Sequence, residues 1–147
     1  MADNDNNGTW WTAPAQSEGG RLILVTGRKD VEKFRSNPRF SIRVEVKWAY
    51  VGDASGMPDL ATSELMEKAT DSINNVLAHD PVAVMTGIFT GDDERDWIFY
   101  TLSTHIFEKK INEALADLPL LPLSINAEND PNWEAYDEMS QAEVKMD

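Results

Sequence analysis

Residue types that commonly do chemistry are few in this sequence and widely spaced. The chain has two histidines, His79 and His105, and no cysteine, which excludes disulfides, a thiol nucleophile and a thiolate metal site. Because the histidines are 26 residues apart, neither H-x₃-H nor H-E-x-x-H occurs. We expect His79 in the last turn of a helix, where an imidazolium favours the helix dipole, and His105 on the surface at a helix start.

Glycine and serine motifs of catalysis are also missing. The sequence contains no G-x-S-x-G elbow, no G-x-G-x-x-G and no P-loop. The acidic residues Asp92, Asp93, Glu94 and Asp96 form one cluster, which is either a divalent-cation site or a solvated hairpin turn. The turn is the favoured interpretation, because short polar loops of this kind join antiparallel strands. The sequence therefore predicts no catalytic residue, no metal and no cofactor.

Charge is unevenly distributed along the 147 residues, which have 26 acids, 13 bases and a net charge of −13. Residues 74–147 hold 15 acids and 4 bases, whereas residues 21–47, the basic segment, hold eight bases and three acids. The acidic excess repels nucleic-acid phosphates and anionic membranes. The charge is either a solvating surface or the mark of a dipolar molecule that docks a charged protein partner. Candidate partner-binding residues in the basic segment are Arg28, Lys29, Lys33, Arg35, Arg43 and Lys47.

Length and composition are those of one globular domain. We expect a disordered tail over residues 1–8, a single α+β domain over residues 9–137 and an acidic C-terminal tail over residues 138–147. No apolar run approaches the ~18 residues of a membrane span, and the first residues are neither basic nor apolar. We therefore expect no signal peptide, no membrane contact and a cytoplasmic location.

Hydrophobic periodicity gives the order of elements. The clearest is a strand from Phe40 to Tyr50, whose even positions are apolar. The runs 9–12 and 21–26 predict an N-terminal hairpin, and 30–36 predicts a short helix. The remaining predictions are helices at 60–78 and from Ser103 or Thr104 to 118, and strands at 82–90, 95–102 and 121–127.

From residue 40 this order is strand, helix, strand, strand, helix, strand. It predicts an α+β fold with a ferredoxin-like βαββαβ core, a four-stranded sheet with both helices on one face, together with an N-terminal β extension and a short C-terminal helix. The strand 97–102 is apolar on both faces, with Trp97 and Phe99 on one and Tyr100 on the other. Either the N-terminal hairpin or the C-terminal helix must then cover the face that points away from the helices.

An aromatic open sheet face also raises RNA binding as an alternative. The basic residues Arg43 and Lys47 are its only support. The segment 96–100 lacks the basic-glycine-aromatic fingerprint of RNA-recognition modules, and the chain is strongly acidic. Nucleic-acid binding is therefore not the favoured interpretation.

Two segments, GDDERDWIFYT at 91–101 and NDPNWEAY at 129–136, resemble the bacterial family called domain of unknown function 695. That family has a glycine-bearing hairpin that leads into an aromatic strand ending in Phe-Tyr, and it closes with Asp-Pro-x-Trp-x-x-Tyr. The resemblance covers about residues 9–137 and implies a fold but no activity. The ending is more distantly similar to that of the regulators of ribonuclease activity B, small acidic proteins that bind and inhibit a ribonuclease.

The closing motif has a structural interpretation. Asp130 would cap the last helix, Pro131 would occupy its first turn, and Trp133 and Tyr136 would lie on one helical face. This pair either packs on the sheet or lines a groove for a partner, since Trp and Tyr dominate binding hot spots. The predicted structural residues are Trp97, Phe99, Tyr100, Asp130 and Pro131.

Two functions fit these observations. The first is a non-enzymatic protein-interaction or regulatory module that uses the basic segment or the Trp133–Tyr136 helix. The alternative is a small-molecule-binding protein or enzyme with a pocket between the open sheet face and the C-terminal helix, with Trp97 or Tyr100 beside His105 and an acid. A flat charged or aromatic patch would favour the first.

Overall fold

A computed structural model describes residues 9–144, which form six strands and four helices. The strands are β1 (Trp10–Gln16), β2 (Leu22–Arg28), β3 (Ile42–Ala49), β4 (Ala83–Gly91), β5 (Glu94–Thr101) and β6 (Leu123–Asn129). The helices are α1 (Glu32–Arg35), α2 (Leu60–His79), α3 (Thr104–Ala114) and α4 (Glu134–Val144). The α+β class is thereby confirmed. The tail predicted for residues 1–8 lies outside the described residues, as do residues 145–147.

All six strands belong to one antiparallel sheet with the order β1-β2-β4-β5-β3-β6. Strand β3 pairs with β5 and β6, and β4 pairs with β5 through the hairpin at residues 91–94. The N-terminal hairpin pairs its second strand with β4. It therefore widens the sheet instead of covering a face, which is why the sheet has six strands and not the four predicted.

One face of the sheet carries the main core. The even positions of β3 point into it, as the alternation predicts: Val44 and Val46 are completely buried and Trp48 nearly so. Helices α2 and α3 contact each other and cover this face with Met66, Ile73, Leu77, Phe107 and Ile111. Ser103 caps α3, because its Oγ accepts a hydrogen bond from the backbone N–H of Ile106 at 3.2 Å.

The opposite face of the sheet has a second, smaller core. Tyr100 and Val84 of the sheet pack there with Phe34 of α1 and Met139 of α4. Helix α4 contacts β1 and β2, and a Cβ at Gly87 of β4 would overlap the Met139 sulfur. The C-terminal helix is therefore the element that covers the apolar face of β5 away from α2 and α3.

Helix α4 differs from the prediction at both ends. Its first residue is Glu134, and Pro131 lies in a turn before it, because Trp133 has a left-handed backbone (φ 56°) that cannot continue a helix. The helix then runs to Val144, through most of the range predicted as an acidic tail. Met139, which is buried in the second core, holds this part of the chain against the sheet.

Candidate functional site

The residues of the closing motif form a buried group with Tyr100, which we name the signature cluster (Tyr100, Asp130, Trp133 and Tyr136). The hydroxyl of Tyr100 donates to Oδ2 of Asp130 at 2.6 Å. Asp130 also accepts the backbone N–H groups of Glu134 and Ala135, each at 3.0 Å. The carboxylate thus caps α4 from four residues before the helix starts, rather than from the adjacent position that the sequence predicts.

These contacts fix the ionisation of Asp130. Burial raises the pKa of its carboxyl, but the hydrogen bonds from Tyr100, Ala135 and Glu134 together hold that pKa below its ordinary value. Burial and the neighbouring carboxylate raise the pKa of the Tyr100 hydroxyl. Asp130 is therefore an ionised acceptor and Tyr100 a neutral donor, an arrangement that fixes a helix in place.

The aromatic members of the cluster have almost no accessible surface. Trp133 is 1% exposed and donates from Nε1 to the carbonyl oxygen of Phe40 at 2.8 Å. Tyr136 donates from its hydroxyl to the carbonyl oxygen of Arg28. Trp97, Phe99 and Tyr100 are completely buried as well. This burial agrees with the packing interpretation of Trp133 and Tyr136 and leaves their side chains almost no surface to offer a partner.

Arg28 lies inside the molecule, although the sequence makes it a partner-binding candidate. Its side chain is 2% exposed, with Nε at 3.2 Å from Oδ1 of Asp30. The guanidinium lies 5.6 Å from the ring centre of Phe34, close enough for a cation–π contact. Arg28 is therefore a packing residue of the second core.

Acidic residues from distant parts of the chain neutralise much of the remaining basic segment. Arg35 binds both carboxylate oxygens of Asp137 at 2.8 Å, and the pKa of Asp137 is lowered by that arginine. Arg43 lies 3.9 Å from Glu128, and Lys47 lies 3.7 Å from Glu94. Lys29, which precedes α1, and Lys33, which lies in α1, are both exposed. Partner binding by the basic segment stays a prediction, and the structure places four of its cations, Arg21 among them, opposite acids from residues 74–147.

The acidic cluster forms a hairpin turn and part of the sheet face opposite α2 and α3. Asp92 and Asp93 have left-handed backbones (φ 54° and 71°) and both pair with Arg21, at 3.1 and 3.2 Å. Asp96 lies on the sheet face opposite α2 and α3, where burial, followed by the neighbouring carboxylates of Glu94 and Glu45, raises its pKa to about 8. Within residues 9–144, no group of three or more His, Cys, Asp or Glu side chains is placed to hold a metal ion.

The two histidines lie where the sequence predicts them. His79 is in the last turn of α2, with Nδ1 at 2.8 Å from the carbonyl oxygen of Asn75. His105 is exposed in the first turn of α3. The pocket of the alternative hypothesis, with Trp97 or Tyr100 beside His105, requires one of these rings to be accessible, and both are fully buried.

An apolar groove beside β6 is the surface feature that the sequence did not reveal. We name it the β6 groove; its volume is about 530 Å³. It lies between the C-terminal part of α3 and the last strand, and its apolar walls include Ile111, Leu115, Leu118, Leu121, Leu123 and Ile125. At its margin Leu120 is completely exposed. From sequence alone these residues resemble the end of one buried helix and the start of one buried strand.

The groove adjoins a free edge of the sheet. The N–H of Asp130 donates to the carbonyl oxygen of Ser41 at 2.8 Å, so the backbone of Asp130 faces the strand that contains β3. In an antiparallel pair, only every second residue directs its N–H and C=O groups towards the neighbouring strand. Asp130 and every second residue before it in β6 therefore face β3. The backbone groups of Ile125, Ala127 and Asn129 therefore point away from the sheet. The side chain of Ile125 at the same time lines the groove.

The opposite edge of the sheet is protected. Two hydrogen bonds show which residues of β1 direct their backbone N–H and C=O groups towards β2. Ser17 N–H donates to Arg21 C=O, and Lys29 N–H donates to Thr9 C=O. By the same alternation Pro14 occupies an outward-facing position, where it supplies no N–H. A proline on an edge strand blocks the addition of another strand. The two edges therefore differ, and β6 is the open one.

The fold and this surface define a mixed α+β protein with an open six-stranded sheet and an apolar groove at one edge. The chain belongs to the family of unknown function DUF695, whose model matches residues 10–139, which confirms the resemblance inferred from its motifs. No curated protein and no solved structure matches the chain. In the described part of the chain no helix is long and apolar enough to cross a membrane; the cytoplasmic location stays a prediction.

Proposed function

We propose that this protein is a non-enzymatic interaction module that binds an extended segment of a partner protein along β6. The observation that carries the proposal is the position of the β6 groove directly beside backbone groups that face away from the sheet. A strand added to such an edge gains main-chain hydrogen bonds, and pockets beside the edge select alternate side chains. The β6 groove is such a pocket.

The residues on the two faces of β6 indicate which types of side chain the bound segment carries. On the helix side, Leu123 and Ile125 line the groove, so every second residue of the segment is apolar. On the other side, Ser124, Asn126 and Glu128 are exposed. Residues 74–147, which include α3 and β6, have 15 acids and 4 bases, so the alternate residues of the segment are basic.

Charge argues for another protein rather than a second copy of this chain as the occupant. Two copies would bring together two molecules with a net charge of −13 each, and like charges oppose association. Pairing β6 with β6 would also add the exposed Glu128 of each chain to the same sheet face. A basic, extended segment meets neither penalty.

We also propose that the fold contains a ferredoxin-like unit. Residues 40–129 contain β4-β5-β3-β6 as adjacent strands, with α2 and α3 in contact on one face. This arrangement supports a ferredoxin-like unit to which the N-terminal hairpin and α4 have been added.

The test uses short synthetic peptides in which leucine alternates with lysine, and peptides of the same composition with the two residues in separate blocks. Binding to the full chain is followed by ¹H–¹⁵N NMR titration. We expect the alternating peptide to shift the amides of Ile125, Ala127 and Leu120, and the block peptide to have little effect. A third peptide, in which leucine alternates with glutamate, tests the charge argument.

Two variants with matched controls locate the binding site. Leu120→Glu places a charge at the groove margin, and Val51→Glu makes the same change at another exposed residue. Ala127→Pro removes an outward N–H from β6, and Gln16→Pro removes one from β1, on the opposite edge. We expect the first variant of each pair to weaken binding by about tenfold or more, and its control to bind normally. Equal binding by all peptides, shifts away from β6, or dimerisation through β6 would overturn the proposal.

A further inference from the structure

A second cavity, the Arg95 pocket, lies on the helix side of the sheet, where the N-terminal hairpin extends beyond α2. Its volume is about 460 Å³. Arg95 of β5 is one of its lining residues. Its Nε donates to Oγ1 of Thr90 at 2.9 Å, and its Nη1 lies 3.5 Å from Oε2 of Glu67. One cation and one anion thus stand side by side at the wall of a cavity that is separate from the β6 groove.

The two charged side chains differ in how firmly they are held. The side chain of Arg95 is 12% exposed, whereas that of Glu67 is 67% exposed. Burial lowers the pKa of Arg95, and the opposing effect of Glu67 does not restore it. The guanidinium is therefore held in place by the protein around it, whereas the exposed carboxylate beside it can turn towards a ligand.

The rest of the wall combines hydroxyl groups with apolar surface. Thr12 and Thr26 contribute hydroxyls that lie 3.1 Å apart. Leu24, Met57 and Ile88 contribute apolar atoms, and Leu24 exposes 39% of its surface although it lies in the middle of a strand. A cavity in which convergent polar groups lie beside apolar surface can hold the polar and the apolar parts of one small molecule.

We propose that the Arg95 pocket binds a zwitterionic small molecule of the amino-acid class. The ligand carboxylate binds the guanidinium of Arg95, and the ammonium group binds Glu67. An apolar ligand side chain packs against Leu24, Met57 and Ile88. A carboxylate is a planar partner for a guanidinium, whereas a doubly charged phosphate would be repelled by Glu67.

The first experiment is a ¹H–¹⁵N NMR titration of the full chain with L-leucine, L-isoleucine and L-methionine, to about 10 mM so that millimolar dissociation constants are covered. 4-Methylpentanoate and isopentylamine, which carry only the carboxylate or only the ammonium group, are titrated in parallel. We expect saturable shifts at Thr26, Thr90 and Arg95 with at least one amino acid. Each single-charge analogue should bind about tenfold or more weakly, since it leaves one charged group of the site unpaired.

Glu67→Gln tests the ammonium contact without removing a buried group, and Glu64→Gln, on the same helix and also exposed, is its control. We expect the first to weaken amino-acid binding by about tenfold and the second to leave it unchanged. Thr26→Val, which alters the opposite wall, should also weaken binding. No saturable shift with any amino acid, equal binding of 4-methylpentanoate, or indifference to Glu67→Gln would overturn the proposal. Leu120→Glu should not affect this site, so failure here is distinct from failure at β6.

Discussion

The indole ring of Trp133 lies flat on the ring of Tyr100, with 4.0 Å between the ring centres and 14° between the planes. Tyr100 belongs to β5 in the middle of the sheet, and Trp133 directly precedes α4, so the stack joins the last helix to the sheet. The left-handed backbone of Trp133 costs about 1–2 kcal/mol. The stack and the hydrogen bond from Nε1 to Phe40 contribute about 0.5–1.5 kcal/mol each and offset that cost.

The hydrogen bond between Tyr100 and Asp130 should contribute measurably to stability. Tyr100→Phe keeps the ring stack but removes the donor at 2.6 Å from the carboxylate. Loss of a hydrogen bond to a charged group costs about 1.5–3 kcal/mol, so we expect the free energy of unfolding to fall by that amount. Urea unfolding followed by tryptophan fluorescence measures it.

Tyr50→Phe is the matched control, because the hydroxyl of Tyr50 donates at 2.7 Å to an uncharged acceptor, the carbonyl oxygen of Gly56. Its expected cost is about 0.5–1.5 kcal/mol, that of an ordinary hydrogen bond. A Tyr100→Phe protein as stable as the Tyr50→Phe protein would contradict the role given to the signature cluster.

Local patterns were enough to predict most of the elements. The alternation from Phe40 to Tyr50 predicts β3 and its buried face, because a half-buried strand needs apolar residues at every second position. Ser103 was one of two predicted caps, and it is the residue that accepts the amide of Ile106. The double-faced apolar strand at 97–102 also led correctly to a covering element on the second face.

Features that depend on distant contacts were not predictable in this way. The left-handed Trp133 is held by Phe40 and Tyr100, neither of which is close in sequence. Likewise Arg35 is paired with Asp137 across the molecule, so a local excess of bases did not imply a basic surface. The β6 groove is formed by the end of α3, the segment that follows it and β6 together, and no residue type marks that combination.

Acid should destabilise the protein through Asp130 and Asp137, whose pKa values are both below the ordinary 3.8. For a carboxyl with a lowered folded-state pKa, the stabilisation is fully present above the ordinary value and is lost as the pH falls through the folded-state value. We therefore expect the free energy of unfolding to decline below pH 3.8. Urea unfolding at a series of pH values measures this decline.

Asp130→Asn should remove part of that pH dependence. We expect the variant to be less stable than the original chain at neutral pH, with the difference shrinking as the pH falls below 3.8. Asp71→Asn, an exposed change on α2, serves as the control and should leave the pH dependence as it is. A constant difference between the Asp130→Asn protein and the original chain at every pH would show that the carboxylate charge is not what stabilises α4.

Asp96 should lower the stability of the protein at high pH, whereas Asp130 and Asp137 lower it at low pH. Burial raises its pKa to about 8 from 3.8, so between these values the folded chain holds a proton that the unfolded chain has released. The resulting stabilisation is complete below pH 3.8 and is lost as the pH rises through about 8. Asp96→Asn mimics the protonated state, and we expect it to be more stable than the original chain above that pH.

Carbon-detected NMR titration of the Asp96 carboxyl tests the cause directly. The expected midpoint is about pH 8, and Glu94→Gln should lower it, since one neighbouring carboxylate is then neutral. A midpoint near 3.8 in the original chain would contradict the placement of Asp96 on a desolvated sheet face.

The smallest change that should disturb the N-terminal hairpin is Gly27→Ala. Gly27 of β2 lies opposite Trp11 of β1, and a Cβ at this position would overlap the indole ring. A rigid ring cannot yield locally, so Trp11 would have to move away from the sheet; overpacking of this kind costs about 1–3 kcal/mol. At Gly19 the nearest side-chain atom is Ser17 Oγ at 3.9 Å, and Gly19→Ala should be neutral or stabilising by up to about 1 kcal/mol. Urea unfolding of both variants decides the point, because equal stabilities would mean that Trp11 does not pack over Gly27.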